Sequence, residues 1–82
     1  MKARVVWTRT VWVLFQELPD EVQDELLEKV QYLEPFPHLY PVIIKSRRFR
    51  RHRWFRAGNW LLFYRVADNT VYIRGLWPAR IP

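Results

Sequence analysis

The period of the apolar residues changes once along this chain, and three closely spaced prolines mark the change. Up to residue 33 apolar side chains recur every three or four positions: Val11, Leu14, Phe15 and Leu18, then Val22, Leu26, Val30 and Leu33. That is the spacing of helices with one buried stripe. After Pro41 the apolar residues alternate with polar ones and are rich in β-branched and aromatic types, the pattern of strands. Pro35, Pro37 and Pro41 lie between the two regimes. Each lacks an amide proton and fixes φ, so the connecting chain runs extended and hides no further helix.

Arg4 to Thr8, apolar and β-branched, reads as a first strand. A short helix follows, with Thr8 or Thr10 as its N-cap. A second helix is expected to begin with Pro19 as its first residue, Asp20 and Glu21 complementing its positive end and Asp24, Glu25 and Glu28 forming its solvated face. Val42 to Lys45 and Phe49 to Phe55 read as one long or interrupted strand. Ala57-Gly58-Asn59 is a hairpin turn, Trp60 to Ala67 a central strand, Asp68-Asn69 a second turn, and Thr70 to Trp77 a half-buried last strand. The expected fold is α+β in the order β-α-α-β-β-β. It is an antiparallel sheet of about four strands, the first strand lying at an edge or beside the last, with two N-terminal helices packed on one face and the other face open. Residues 1–82 make one domain at the small end of the range, and with half the residues apolar a single dense core is expected.

Charge divides where the period does. Residues 1–41 hold four Lys/Arg against seven Asp/Glu, a net −3, whereas residues 42–82 hold ten against Asp68 alone, a net +9. A field of one sign on so short a segment attracts phosphate backbones or an acidic protein partner. The chain has no Cys, so no disulfide framework, thiolate nucleophile or Cys-based zinc site is open to it. Met1-Lys2-Ala3 leads straight into Arg4 without a signal-peptide h-region, and no apolar run is long enough to span a bilayer. A cytoplasmic protein with no membrane association is expected.

The densest chemistry lies in Lys45-Ser46-Arg47-Arg48-Phe49-Arg50-Arg51-His52-Arg53-Trp54-Phe55-Arg56. Cations interleaved with aromatics supply phosphate contacts beside flat surfaces on which bases stack. Lys45, Arg47, Arg48, Arg50 and Arg56, with Arg74 on the last strand, are candidate nucleic-acid ligands. An edge strand loaded with cations against aggregation, or a surface matched to an acidic protein, would look the same. On an extended strand Arg51 and Arg53 would share one face, and His52 and Trp54 the other. Ser46, the only serine, would then sit roughly 20 Å from His52, too far for a nucleophile and its base. His38 and His52 lack metal-ligand spacing, and no glycine-rich phosphate loop exists. No metal and no cofactor are expected. One reaction suits an arginine-rich site without metal: RNA cleaves itself when its 2′-hydroxyl attacks the adjacent phosphate, and the protein need only orient the strand, stabilise the phosphorane charge and assist proton transfer. His52, kept neutral by surrounding cations, suits a general base, with Tyr64 and Tyr72 as further proton carriers.

The element order, together with Leu18-Pro19-Asp20-Glu21-Val22-Gln23, Arg56-Ala-Gly-Asn-Trp-Leu-Leu-Phe-Tyr-Arg-Val66, Val71-Tyr-Ile-Arg74 and Ala79-Arg80-Ile-Pro82, resembles the RelE/ParE superfamily of toxins from bacterial type II toxin-antitoxin modules. The resemblance covers nearly the whole chain. It implies either a ribosome-associated mRNA endoribonuclease of the RelE kind or a DNA gyrase inhibitor of the ParE kind that acts by binding. A third reading is a nucleic-acid-binding protein that keeps the fold without activity. On the RelE pattern Arg51, Arg53 and Arg80 are the implied phosphate ligands. Leu61 stands where such nucleases often carry Arg on the central strand, and Arg65, on the same strand face, is the candidate replacement. The C-terminal Tyr of the best-known member has no counterpart before Pro82, and the Ala79-Arg80-Ile-Pro82 ending resembles ParE-like tails. The resemblance also implies a cognate antitoxin with an acidic or amphipathic segment. Aromatics left at the surface agree with such a partner or with a second copy of the chain.

Overall fold

The structure, a computed structural model, describes residues 2–79. Its elements are β1 (Arg4–Trp7), α1 (Arg9–Gln16), α2 (Asp20–Gln31), β2 (Arg53–Ala57), β3 (Trp60–Ala67) and β4 (Thr70–Pro78), in one sheet of order β1-β4-β3-β2. This is the expected α+β architecture. β2, β3 and β4 form an antiparallel meander, while β1 joins β4 in parallel from Arg4↔Thr70 to Trp7↔Ile73, so the sheet is mixed.

Local chemistry accounts for the boundaries. Thr8 is extended and its Oγ1 accepts from the Val11 amide, which starts α1. Pro19 precedes α2 instead of opening it: at ψ 149° it is still extended, and its carbonyl accepts from Val22 and Gln23. Gln23 Nε2 donates to the Leu18 and Gln16 carbonyls and ties the helices together. In the β2–β3 turn Gly58 has φ 57°, and in the β3–β4 turn Asp68 and Asn69 have φ 51° and 56°. Two successive positive values are the pattern of a type I′ turn, which matches the twist of the strands it joins and favours Asp and Asn.

Between residues 42 and 55 the chain departs from the expected strand. Val42 makes one bridge to Arg53, Ile43 exchanges backbone bonds with His52 and Arg51, and the Trp54 amide donates to Pro41. Residues 48–51 are a turn, with Arg51 at φ 66°. The chain doubles back here because Phe49 gains burial by folding onto the sheet. The period-two sorting of Arg51 with Arg53 fails with it, as does the separation between Ser46 and His52 computed for an extended strand.

Alternation along β3 and β4 divides the sheet. Leu62, Tyr64, Val71, Ile73 and Leu76 face the helices and join Val11, Phe15, Leu26, Val30 and Leu33 in one core. Leu61, Phe63 and Arg65, with Trp54, Tyr72 and Trp77 from the neighbouring strands, face the other way. The register shifts between Phe63 and Tyr64, leaving Arg74 as the extra residue of a bulge between Ile73 and Gly75.

Candidate functional site

Three signals converge on the sheet face that the helices leave open. Its floor is Phe63 with Trp77, and Phe49 lies flat on Phe63, ring centroids 4.2 Å apart and planes 6° from parallel. Phe63 is paired across the ladder with Gly75, and a Cβ at Gly75 would fall inside the Phe49 ring. A glycine in a strand interior marks such a close approach. Phe49 also meets His52 edge-on and Trp77 at 6.4 Å. Its amide donates to Ser46 Oγ at 3.0 Å, which gives the only serine a structural part in holding the loop.

His52 is buried at 8 % exposure. Its Nδ1 lies 3.2 Å from the Arg50 carbonyl oxygen, which can only accept, so Nδ1 carries the proton and Nε2 is left with a lone pair. Nε2 is buried and has no partner among the described residues. Burial lowers the imidazole pKa below its usual 6.5, the Arg50 carbonyl opposes this, and the charges of Arg74 and Arg65 lower it further. The neutral imidazole is therefore favoured, chiefly by burial and further by the neighbouring cations that the sequence reading named. Its ring lines a cleft of about 650 Å³ together with Leu14, Trp60, Arg74 and Trp77. This cleft wraps the stretch of β4 beyond Ile73, where β1 has ended.

The structure brings some of the expected residues to this face and takes others away. Arg65 is exposed on it, opposite Tyr72. Arg74 joins it through the bulge, and the Arg48 guanidinium lies 4.8 Å over the Trp77 ring. Arg53 does not reach it, because it shares the helix-side face of β2 with Phe55 and Ala57 and donates from Nη1 to the carbonyls of Tyr40 at 2.7 Å and His38 at 3.3 Å. It fastens the proline-rich connection. Arg56 is bound to the β2–β3 turn through the Gly58 carbonyl and Asn59 Oδ1. Lys45, Arg47, Arg50 and Arg51 are exposed around the Phe49 loop. Arg80 lies outside the described residues. Tyr64 is withdrawn into the core, where its hydroxyl accepts from the Tyr40 amide and burial raises its pKa. Tyr72 stays exposed. Phe63, Gly75 and Trp77 were not expected in a site; the signal available for them was the glycine within an otherwise bulky strand.

Among the described residues the one ion pair is Lys29 with Glu25, on α2. Among the described residues none of the arginines around the open face has a carboxylate partner. Cations gathered on one face beside exposed aromatic rings can hold an anion from outside the chain.

The sequence matches no family model and no curated protein. Solved structures do match it. The archaeal RelE–RelB complex from Pyrococcus horikoshii superposes with a TM-score of 0.77 at 26 % identity, over 95 % of this chain and 96 % of that one. This chain has the RelE toxin fold. A second RelE-fold neighbour is the toxin-antitoxin complex RelBE2 of Mycobacterium tuberculosis, with a TM-score of 0.77 and 22 % identity over 95 % of this chain and 99 % of that one. A mutant of the E. coli toxin RelE in the free state gives 0.73 and 16 % over 96 % and 85 %. The resemblance read from the sequence motifs is thus met by the fold. No helix among the described residues of this RelE-fold chain is long and apolar enough to cross a membrane.

Proposed function

We propose that this protein is the toxin of a type II toxin-antitoxin module and a metal-independent endoribonuclease acting on mRNA at the ribosome. The observation that carries this reading is His52, its neutral form favoured, whose Nε2 has no partner and whose neighbouring arginines have no counter-ions among the described residues, on the open sheet face of a RelE fold. Nε2 accepts the proton of a ribose 2′-hydroxyl, whose oxygen bonds to the adjacent phosphorus while the bond from phosphorus to the 5′-oxygen breaks. The leaving oxygen takes a proton from the imidazolium or from Tyr72, and the products are a 2′,3′-cyclic phosphate and a 5′-hydroxyl. Arg65 and Arg74 stabilise the charge gathering on the phosphorane, supplying what Leu61 cannot. Arg47, Arg48, Arg50, Arg51 and Lys45 hold the strand, and Arg80 is assigned to the same task by resemblance. Because Nε2 is sealed in the free protein, the 45–52 loop must shift to admit the ribose.

The two RelE–RelB and RelBE structures are complexes with antitoxins, which supports an antitoxin for this chain as well. Its acidic side would meet the basic loop, and its apolar side the exposed Trp12, Val13, Phe36 and Ile44. Leu61 on the open face favours one other reading, a ParE-like gyrase inhibitor that binds without cutting.

The test is a cell-free translation reaction with primer extension across the mRNA, using wild type, Arg74→Ala, Arg65→Ala and His52→Gln. Cuts within translated codons, falling about 10²–10³-fold in rate in Arg74→Ala, are expected. Intact mRNA under active translation would overturn the nuclease and turn attention to gyrase supercoiling.

A further inference from the structure

We propose that the pocket bordered by Ser46, Arg48, Phe49, Phe63 and Trp77 is a nucleobase slot that takes guanine in preference to adenine from single-stranded RNA, with Trp77 as its stacking floor. The inference rests on the ribonuclease reading for its ligand and adds the residues that choose the base.

The pocket holds about 500 Å³, within the roughly 300–1,000 Å³ usual for small-ligand sites. Its floor belongs to the sheet and is fixed there by the ladder, Phe63 opposite Gly75 and Leu61 opposite Trp77. Trp77 nevertheless keeps 43 % of its surface exposed. A large aromatic ring left open beside cations with no carboxylate partner among the described residues is the arrangement in which bases stack while phosphates are held nearby. The Arg48 guanidinium now rests on that ring at 4.8 Å. A planar base can take its place, which frees Arg48 to reach a phosphate or the base edge. The open face is thereby divided: Leu61 and Trp77 make an apolar end for a base, and Arg65 and Arg74, beside neutral His52, a cationic end for the phosphate. The position of Leu61, where a cation would serve the phosphate, falls at the base end.

Selectivity follows from the polar groups at the rim. The Ser46 hydroxyl oxygen already accepts from the Phe49 amide at 3.0 Å, which leaves its proton to donate, and Arg48 offers donors only. Among the described residues no carboxylate lines the pocket. Donors alone suit an edge with two acceptors, the O6 and N7 of guanine, whereas adenine places an amino donor beside its N7.

The experiment is fluorescence anisotropy of labelled tri-ribonucleotides whose first and central sugars are 2′-deoxy, so that neither linkage can be cleaved, carrying G, A or C at each position and titrated without ribosomes. Wild type is expected to bind a G-containing trimer tightest. Trp77→Leu should weaken that trimer on the order of tenfold and level the difference between G and A, while Trp77→Phe keeps most of both, and Ser46→Ala levels the preference with less loss of affinity. The salt dependence should hardly change in Trp77→Leu, since phosphate contacts remain. Equal binding of all trimers by wild type, unchanged preference in a folded Trp77→Leu, or no trimer binding overturns the slot. Base selection with no cutting in translation would keep the slot and remove the nuclease; cutting whose preference ignores Trp77 would do the reverse.

Discussion

The two faces of the central strands are built from neighbouring residues and have opposite fates. Leu62 and Tyr64 are fully buried under the helices, whereas Leu61 and Arg65, one position away, look out from the other side. The helix side is covered by two amphipathic helices. Among the described residues the open side is covered only by Phe49, from a loop that carries five positive charges at Lys45, Arg47, Arg48, Arg50 and Arg51. What the difference teaches is that the second face is left unfinished. It has the aromatic content of a core without the cover of one, and its charges lack partners among the described residues.

Truncation on either side of one strand measures this contrast most directly. Leu62→Ala should cost about 2–5 kcal/mol, whereas Leu61→Ala should cost about 1 kcal/mol or less, both by urea denaturation. Equal losses would mean that the open face is a second core. A smaller effect is expected from Gly75→Ala, which displaces Phe49 from Phe63. Stability should fall by about 1–3 kcal/mol, and His52 should become accessible, seen as a rise of its pKa toward 6.5 in an NMR titration. If the pKa stays low, the cations and not the Phe49 cover hold it down.

The smallest expected effect is on pH dependence. The folded protein keeps His52 neutral below the pH at which the unfolded chain protonates it, so the unfolded state binds the extra proton. Stability from this group is complete above pH 6.5 and declines as pH falls toward the lowered folded value. The melting temperature of wild type should drop between pH 7.5 and 5.5 more than that of His52→Gln. Parallel curves would place the imidazole in water.

Much of the fold was legible because its signals are local. The stripe Val22, Leu26, Val30, Leu33, the three prolines, Gly58 and the Asp68-Asn69 turn each act through their own backbone or nearest turn. Pro19 was placed one residue too far into its helix, since φ alone does not distinguish a cap from a first turn and ψ does. The site was legible in part. His52 and the wealth of arginine were apparent, but the duties of Arg53 and Tyr64 were not, because each is set by a partner outside its own strand, the carbonyls of His38 and Tyr40 for one and the Tyr40 amide for the other.

The sequence by itself determined the two helices and the strands outside residues 42–52, where the charge divides, and that cations and aromatics would share the second half. Periodicity and composition act over a few residues and need no knowledge of what lies across the sheet. Only the tertiary structure decided that residues 48–51 turn back, that β1 runs parallel to β4, and that Phe49 seats itself over Phe63 in the space left by Gly75. The physical reason is that a side chain's burial, and with it the pKa of His52 and the direction of each arginine, depends on surfaces supplied by distant segments, and these meet only when the sheet is assembled.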